Sequence, residues 1–165
     1  FGGAHAVPRD INHVINAAGH NSVFLARDIE GPHVETLPVP RYVKGSYFSV
    51  TGRTPFSRLI YPMPGKASLG LHLTVDLGGR GKLGPDAEWL PEDAAPPFDY
   101  RVDPERAELF YASARRYWPT LKDGALAADY AGVRPKLVNP GEPSGDFRIE
   151  RTGDLINLLG IESPA

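Results

Sequence analysis

The sequence predicts an α+β fold, in which a mixed or antiparallel sheet is packed by helices. The stretch LGLHLTVDL, residues 69–77, alternates apolar and polar residues, as a half-buried strand does. Residues 103–118 instead carry apolar side chains at helical spacing. The chain also holds 18 glycines and 17 prolines, a content that suits short strands separated by turns better than a helical bundle.

The first readable segment is a strand, a turn and a helix. Residues 13–16 form a short apolar strand, and Ala17, Ala18 and Gly19 form a close turn. Ser22 can cap a helix that we expect to end at Gly31-Pro32. This succession is typical of α/β structure.

The middle and end of the chain predict further strands and one clear helix. Asp103 is a suitable N-cap, Pro104 suits the first turn and Pro119 stops a helix over 103–118. The expected strands cover 47–50, a short strand within SRLIYPMPG that its prolines end, 69–77, 130–133, 147–150 and 155–159.

Composition excludes several classes of function. A length of 165 residues with 41% hydrophobic content allows one domain with a core. The net charge of −2 gives no basic footprint for nucleic acid. No apolar run is long enough to span a membrane. The chain has no cysteine, and its five histidines show no metal-ligand spacing, so we expect neither thiolate chemistry nor a metal site.

The stretch GRGKLG, residues 79–84, matches the dinucleotide pattern G-x-G-x-x-G. That pattern binds a pyrophosphate only where its last glycine opens a helix. Because Pro85 and further prolines follow, no such helix is available. We interpret the stretch as a glycine turn that leaves a strand.

His72 is the first candidate for chemistry, since it lies on the polar side of the alternating strand. Tyr61 lies on the preceding predicted strand, and Lys44 lies just before another, so pairing of these strands would bring an imidazole, a phenol and an ammonium to one face. Histidine exchanges protons near neutral pH. The alternative is a histidine that faces bulk solvent on a half-exposed strand.

Arg134 is the second candidate. It follows a strand of small apolar residues in AGVRPKL, and Pro135 restricts its backbone. The planar guanidinium binds a carboxylate through two parallel hydrogen bonds. The alternative is an ordinary surface salt bridge.

Six segments, taken together and in order, resemble the D-amino-acid-oxidase superfamily of FAD-dependent oxidoreductases. They are VINAAGH, KGSYFSV, RLIYPMPG, LGLHLTVDLGG, DYAGVRPKL and NLLGIESPA. The resemblance covers the chain from about Val14 onward. It is strongest to the hydroxyacid branch, which includes the L-2-hydroxyglutarate oxidases and dehydrogenases.

The resemblance implies a two-part enzyme, with a Rossmann-like FAD domain and a substrate domain whose sheet covers the flavin. Residues 1–34 would be the C-terminal part of the FAD domain, 35–152 the substrate domain, and 153–165 a strand and loop that return to the FAD domain. The glycine-rich phosphate-binding unit of the superfamily is not in this sequence. We therefore expect a fragment of a longer protein.

The family pattern also implies site residues. Those near FAD would be Asn16, Ala17, Ala18, Gly19, Gly160, Ile161, Glu162 and Ser163. Arg134 matches the arginine that lies near the substrate carboxylate, and His72 lies in the HLT segment of the hydroxyacid branch. The predicted catalytic set is His72, Tyr61, Arg134 and Lys44.

We therefore expect the complete enzyme to oxidise a small 2-hydroxy acid to the 2-keto acid, with FAD as cofactor and oxygen or a quinone as electron acceptor. The alternatives are an amine or amino-acid oxidase, and a non-catalytic fragment without bound cofactor. The expected location is the cytoplasm, with membrane association as the alternative.

Overall fold

The computed structural model describes residues 12–30, 37–63, 70–143 and 145–162 and contains two β-sheets. The smaller sheet has the strand order β1-β8-β7, with β1 and β8 parallel and β8 and β7 antiparallel. Its strands and the helix beside them are β1 (Val14–Asn16), α1 (Ser22–Glu30), β7 (Arg148–Thr152) and β8 (Leu155–Leu159). Helix α1 packs on this sheet through Val23, Ala26 and Leu159.

The larger sheet is antiparallel and is built around one long strand. Its strands are β2 (Arg41–Arg53), β3 (Leu73–Val75), β4 (Arg80–Leu83), β5 (Glu88–Trp89) and β6 (Leu126–Lys136). Strand β2 is central: β6 pairs with one of its edges, and β4 and β5 pair with the other. Strand β3 continues the sheet beyond β4.

One helix covers one face of this larger sheet. A 3-10 turn at Pro104–Arg106 leads into α2 (Ala107–Ala114), and the Asp103 carboxylate accepts a hydrogen bond from the Glu105 amide at 2.9 Å, as a capping residue does. The rings of Phe110 and Phe48 lie 4.6 Å apart at the centre of the core. The buried cluster comprises Phe48, Val50, Leu71, Leu73, Leu83, Phe110, Tyr111, Ala114, Trp118 and Leu121.

The predicted α+β class is confirmed, whereas several element bounds differ. Helix α2 ends at Ala114 and a turn leads to the buried Trp118, so the expected helix over 103–118 is shorter. The segment around Ile60 forms a single bridge to Leu73 instead of a strand. Strands β2 and β6 extend well beyond the predicted 47–50 and 130–133, because their long mutual pairing stabilises residues with weak strand preference, such as Gly45 and Gly132.

The stretch GRGKLG contains the whole of β4, so the expected glycine turn lies before Arg80, and the next element is the strand β5, not a helix. The expected helix end at Gly31-Pro32, Leu69 and Ser163 lie outside the described residues. The domain division at residues 34 and 152 stays a prediction. Strand β7 lies just before the second boundary and pairs with β8 just after it.

Candidate functional site

The larger sheet has a polar face, opposite α2, that is defined by the side chains of His72, Thr74, Lys82, Tyr47 and Arg134. Residues Leu73, Leu83 and Phe48 are cross-strand neighbours and all lie in the core beneath α2. Because side chains alternate along a strand, the residues beside them in sequence point to the other side. The alternation predicted for residues 71–75 is therefore observed, and it places His72 on the polar face.

Tyr61 and His72 lie together on this face. The amide and carbonyl of Ile60 both hydrogen-bond to Leu73 at 2.9 Å, which places Tyr61 beside His72 on the neighbouring segment. Their ring centroids are 4.3 Å apart with the planes inclined by 47°. Tyr61 is 60% exposed, whereas His72 is half-buried. The pair therefore borders solvent at one edge of the sheet.

Arg134 reaches the same face from β6. Its register partner is Val43, which lies on the same side of β2 as Gly45 and Tyr47. Its side chain is partly exposed, and its Nε lies 4.0 Å from Glu162 Oε2. Glu162 Oε1 accepts a hydrogen bond from Lys136 Nζ. Arg134 thus lies where the polar face meets the segment that follows β8.

Lys44 does not join this cluster. It lies within β2, next to Val43, so its side chain points to the α2 side of the sheet. There its Nζ donates a hydrogen bond to the carbonyl of Arg101 at 2.6 Å. The expectation that Lys44 lies on one face with His72 and Tyr61 is wrong in the structure. Strand β2 begins at Arg41, earlier than the sequence suggested, and the alternation along it directs the Lys44 side chain to the opposite face.

Two further tyrosines and an ion pair occupy the polar face, and the sequence reasoning missed them. Residues Tyr47 and Tyr130 stack with ring centroids 4.5 Å apart and planes 20° apart. Lys82 Nζ lies 4.4 Å from the centre of the Tyr130 ring and 3.0 Å from the Asp129 carboxylate. Tyr47 could have been predicted from the sequence to lie on the polar face, because it stands next to the apolar Phe48 in an alternating stretch.

The positions of Asp129 and Tyr130 could not be predicted from the sequence pattern. Ser46 pairs with Ala131 and Phe48 with Ala128, so β6 has one residue more than β2 between these pairs. Because of this irregularity, Asp129 and Tyr130 both lie opposite Tyr47.

The surroundings of Tyr47 raise the pKa of its hydroxyl. Burial is the largest cause, and the neighbouring Tyr130 and Tyr61 act in the same direction. The positive charges of Arg134 and Lys82 oppose the rise without cancelling it. The Tyr47 hydroxyl is therefore protonated at neutral pH and can donate a hydrogen bond.

The two segments expected near FAD leave the same edge of the smaller sheet. Strands β1 and β8 are parallel, with Asn16 paired to Asn157, so residues 17–19 and 160–162 both follow carboxyl ends of neighbouring parallel strands. In α/β sheets, ligands bind beyond this edge. Asn16 is buried, and its side chain bonds Ser22, Asn157 and Ala18.

At this edge, residues expected near FAD leave backbone open. Ala17, Ala18 and Gly19 are exposed, so small residues leave their backbone open to a ligand. Gly19 has φ +58°, and an added Cβ would meet no described atom within 4 Å. Gly160 also has a positive φ, +69°, and in addition an added Cβ there would lie 2.7 Å from Leu137 Cγ. It brings 160–162 close to Leu137 and is not itself evidence of a cofactor.

Two further features are absent from the described residues. No group of three histidine, aspartate or glutamate side chains there is arranged to hold a metal ion. Within the same part of the chain, no helix has the length and apolar character needed to cross a membrane.

Comparison with curated proteins identifies two informative relatives. The chain is 43% identical over 165 residues to the mitochondrial L-2-hydroxyglutarate dehydrogenase of Arabidopsis thaliana, covering 93% of this chain and 34% of the relative. It is 28% identical over 160 residues to the glycerol 3-phosphate dehydrogenase of Caloramator mitchellensis, covering 94% of this chain and 31% of the relative. The chain thus spans about a third of the length of these relatives.

Solved structures share the fold at low sequence identity. One is the FAD-bound, dithionite-reduced L-alpha-glycerophosphate oxidase from Mycoplasma pneumoniae, with a TM-score of 0.66, 21% identity, and coverage of 92% of this chain and 38% of that one. The other is glycine oxidase from Bacillus cereus ATCC 14579, with a TM-score of 0.51, 21% identity, and coverage of 90% and 36%.

The family model described as FAD dependent oxidoreductase matches residues 2–165, nearly the whole chain. This match and the 43% identical relative confirm the resemblance drawn from the six sequence segments. The chain belongs to the D-amino-acid-oxidase family of FAD-dependent oxidoreductases.

Proposed function

We propose that the protein to which this chain belongs oxidises a small 2-hydroxy acid, of the 2-hydroxyglutarate type, to the 2-keto acid. The observation that carries the proposal is the shared polar face. His72 with Tyr61 lies at one end of it, and Arg134 lies at the other, next to residues 160–162. The 43% identical relative named for L-2-hydroxyglutarate supports the choice of substrate class.

Arg134 binds the carboxylate of the acid in this proposal. Its guanidinium is partly exposed, and the nearest carboxylate oxygen, on Glu162, lies 4.0 Å from Nε. That distance is too long for a hydrogen bond, so Glu162 does not occupy all the N–H donors of the Arg134 guanidinium. A substrate carboxylate can therefore take two parallel hydrogen bonds from Arg134 and fix the position of C2.

His72 accepts the proton of the substrate hydroxyl. Histidine is the side chain whose ordinary protonation equilibrium lies nearest neutral pH, which suits it to a general base. Tyr61, with its ring 4.3 Å from the imidazole, orients the hydroxyl oxygen. When bound, FAD supplies the acceptor of the hydride from C2, and oxygen or a quinone is the expected final electron acceptor.

Gly132 supplies room for the substrate on the polar face. It lies on β6 between Arg134 and Tyr130, and an added Cβ would meet no described atom within 4 Å. On β2 its register partner Gly45 is covered by Pro85, whose Cβ would lie 2.8 Å from an added Cβ. The open space is therefore on the β6 side, two residues along the strand from Arg134.

Anaerobic reduction of the complete, FAD-loaded protein tests the proposal. We expect 2-hydroxyglutarate or a related 2-hydroxy acid to bleach the visible flavin absorption, and glycine and other amino acids not to. Bleaching by amino acids alone would favour amine oxidation instead. Bleaching by glycerol 3-phosphate alone would also contradict the proposal.

Substitution of Arg134 tests its assigned role. Arg134→Gln should raise the KM for the acid by about 10- to 100-fold, because hydrogen bonds to a charged group are lost. Arg116→Gln, on the exposed turn after α2, is the matched control and should leave KM unchanged. An unaltered KM in Arg134→Gln would remove the guanidinium from the carboxylate site.

A further inference from the structure

Tyr47 lies between the two ends of the proposed site. The Gly84 amide donates a hydrogen bond to the His72 carbonyl at 3.0 Å, and Gly84 follows Leu83, the register partner of Phe48. Tyr47 is therefore the next residue across the sheet from Gly84, and β6 with Arg134 lies beyond it. A molecule that contacts both His72 and Arg134 must pass over or beside the Tyr47 ring.

The Tyr47 ring is held in place from two sides. An added Cβ at Gly84 would lie 2.7 Å from Tyr47 Cδ1 and 3.0 Å from its Cγ, so the ring occupies the space that a side chain would take. Tyr130 stacks against it at 4.5 Å. A side chain fixed in this way loses little further conformational freedom when it binds a ligand.

Among the described residues, none bonds the Tyr47 hydroxyl, whereas other tyrosine hydroxyls have partners there. Tyr42 donates to the His20 carbonyl at 2.8 Å, Tyr117 donates to the Leu71 carbonyl at 3.2 Å, and the Tyr111 hydroxyl accepts from the Leu126 amide at 3.0 Å. For Tyr47, the described residues give ring packing but no hydrogen bond of the hydroxyl. Its donor is therefore available within this part of the chain.

The charges around Tyr47 favour an anionic ligand. Arg134 and Lys82 both act on its hydroxyl electrostatically. Lys82 already pairs with Asp129 at 3.0 Å, whereas Arg134 Nε lies 4.0 Å from Glu162, too far for a hydrogen bond. An acid bound to Arg134 above Gly132 would have the Tyr47 hydroxyl as a neighbouring neutral donor.

We propose that Tyr47 is a substrate-binding residue, whose hydroxyl donates a hydrogen bond to a carboxylate oxygen of the acid held by Arg134. The proposal rests on the proposed oxidation of a 2-hydroxy acid. It adds a neutral donor between the guanidinium and the His72–Tyr61 pair.

The test compares Tyr47→Phe with wild type in the complete, FAD-loaded protein. The substitution keeps the stacked ring and removes only the hydroxyl. Two quantities are measured: the KM for 2-hydroxyglutarate, and the Kd of the product 2-oxoglutarate from its perturbation of the flavin spectrum without turnover. Tyr100→Phe, an exposed tyrosine whose ring neighbours Phe98, is the matched control.

We expect both KM and Kd to rise about tenfold or more in Tyr47→Phe and to stay unchanged in Tyr100→Phe. Wild-type values of KM and Kd in Tyr47→Phe would overturn the role of Tyr47 while leaving the proposed oxidation intact. A Tyr47→Phe protein that loses its flavin or its fold would also overturn it, since the hydroxyl would then be structural. Failure of wild type to be reduced by any 2-hydroxy acid would overturn both proposals at once.

Discussion

Asn16→Ala should destabilise the edge of the smaller sheet that the family pattern predicts to lie near FAD. The Asn16 amide nitrogen donates to the Ser22 carbonyl at 2.7 Å and to Asn157 Oδ1 at 2.8 Å, and its oxygen accepts from the Ala18 amide at 3.2 Å. Both asparagines are buried. Three hydrogen bonds at about 1 kcal/mol each give an expected loss of about 3 kcal/mol.

Thermal release of flavin from the complete protein measures this loss, because free flavin fluoresces more strongly than bound flavin in a folded site. The midpoint should fall by at least about 3 °C in Asn16→Ala. Asn12→Ala, at an exposed position, is the matched control and should leave the midpoint unchanged.

A second substitution separates hydrogen bonding from size. Asn16→Asp keeps the shape and the acceptor for Ala18, but it turns an oxygen towards the Ser22 carbonyl and Asn157 Oδ1. It should therefore destabilise at least as much as Asn16→Ala at neutral pH. Wild-type midpoints in both variants would refute the view that this network holds the edge together.

Three other predictions concern the polar face and the core. His72→Ala should slow flavin reduction by about 10²- to 10⁴-fold in stopped flow, whereas Lys44→Met, on the α2 side, should change the rate only slightly; equal effects would contradict the assignment of faces. Gly132→Val should raise KM by filling the open space without lowering the thermal midpoint, and an unchanged KM would show that the substrate lies elsewhere. Burial raises the pKa of Tyr117 to about 12, so between about pH 10 and 12 the unfolded chain loses this proton first and the folded state is destabilised as pH rises. Tyr117→Phe should therefore lose less stability between about pH 8 and pH 11 than wild type in urea unfolding, and an equal loss would argue against this cause.

Local patterns predicted those parts of the fold that depend on neighbouring residues alone. The alternation through Leu71, His72 and Leu73 placed the histidine opposite the core correctly, because strand geometry fixes side-chain direction. The pattern failed at Leu77, which is exposed, because Asp76 caps a turn by accepting from the Gly78 amide at 2.8 Å and the strand has ended. A turn of this kind overrides the hydrophobic pattern.

The candidate site depended on register, which the sequence does not express directly. Lys44 and Arg134 both looked suitable for binding an anion, and both lie in strands. They point to opposite faces because Val43, next to Lys44, is the partner of Arg134. A shift of one residue in this pairing would exchange the two faces.

The division of the larger sheet into two unlike faces explains why its polar side is available for chemistry. Helix α2 covers one face with Phe110 and Tyr111, so the core takes up the apolar half of every alternating strand. The side chains on the other face include an imidazole, tyrosines and a guanidinium. Across the strands, they follow in the order His72, Tyr47 and Arg134. In a longer protein whose FAD domain lies against this side, the same alternation that builds the core would also assemble the substrate-binding surface.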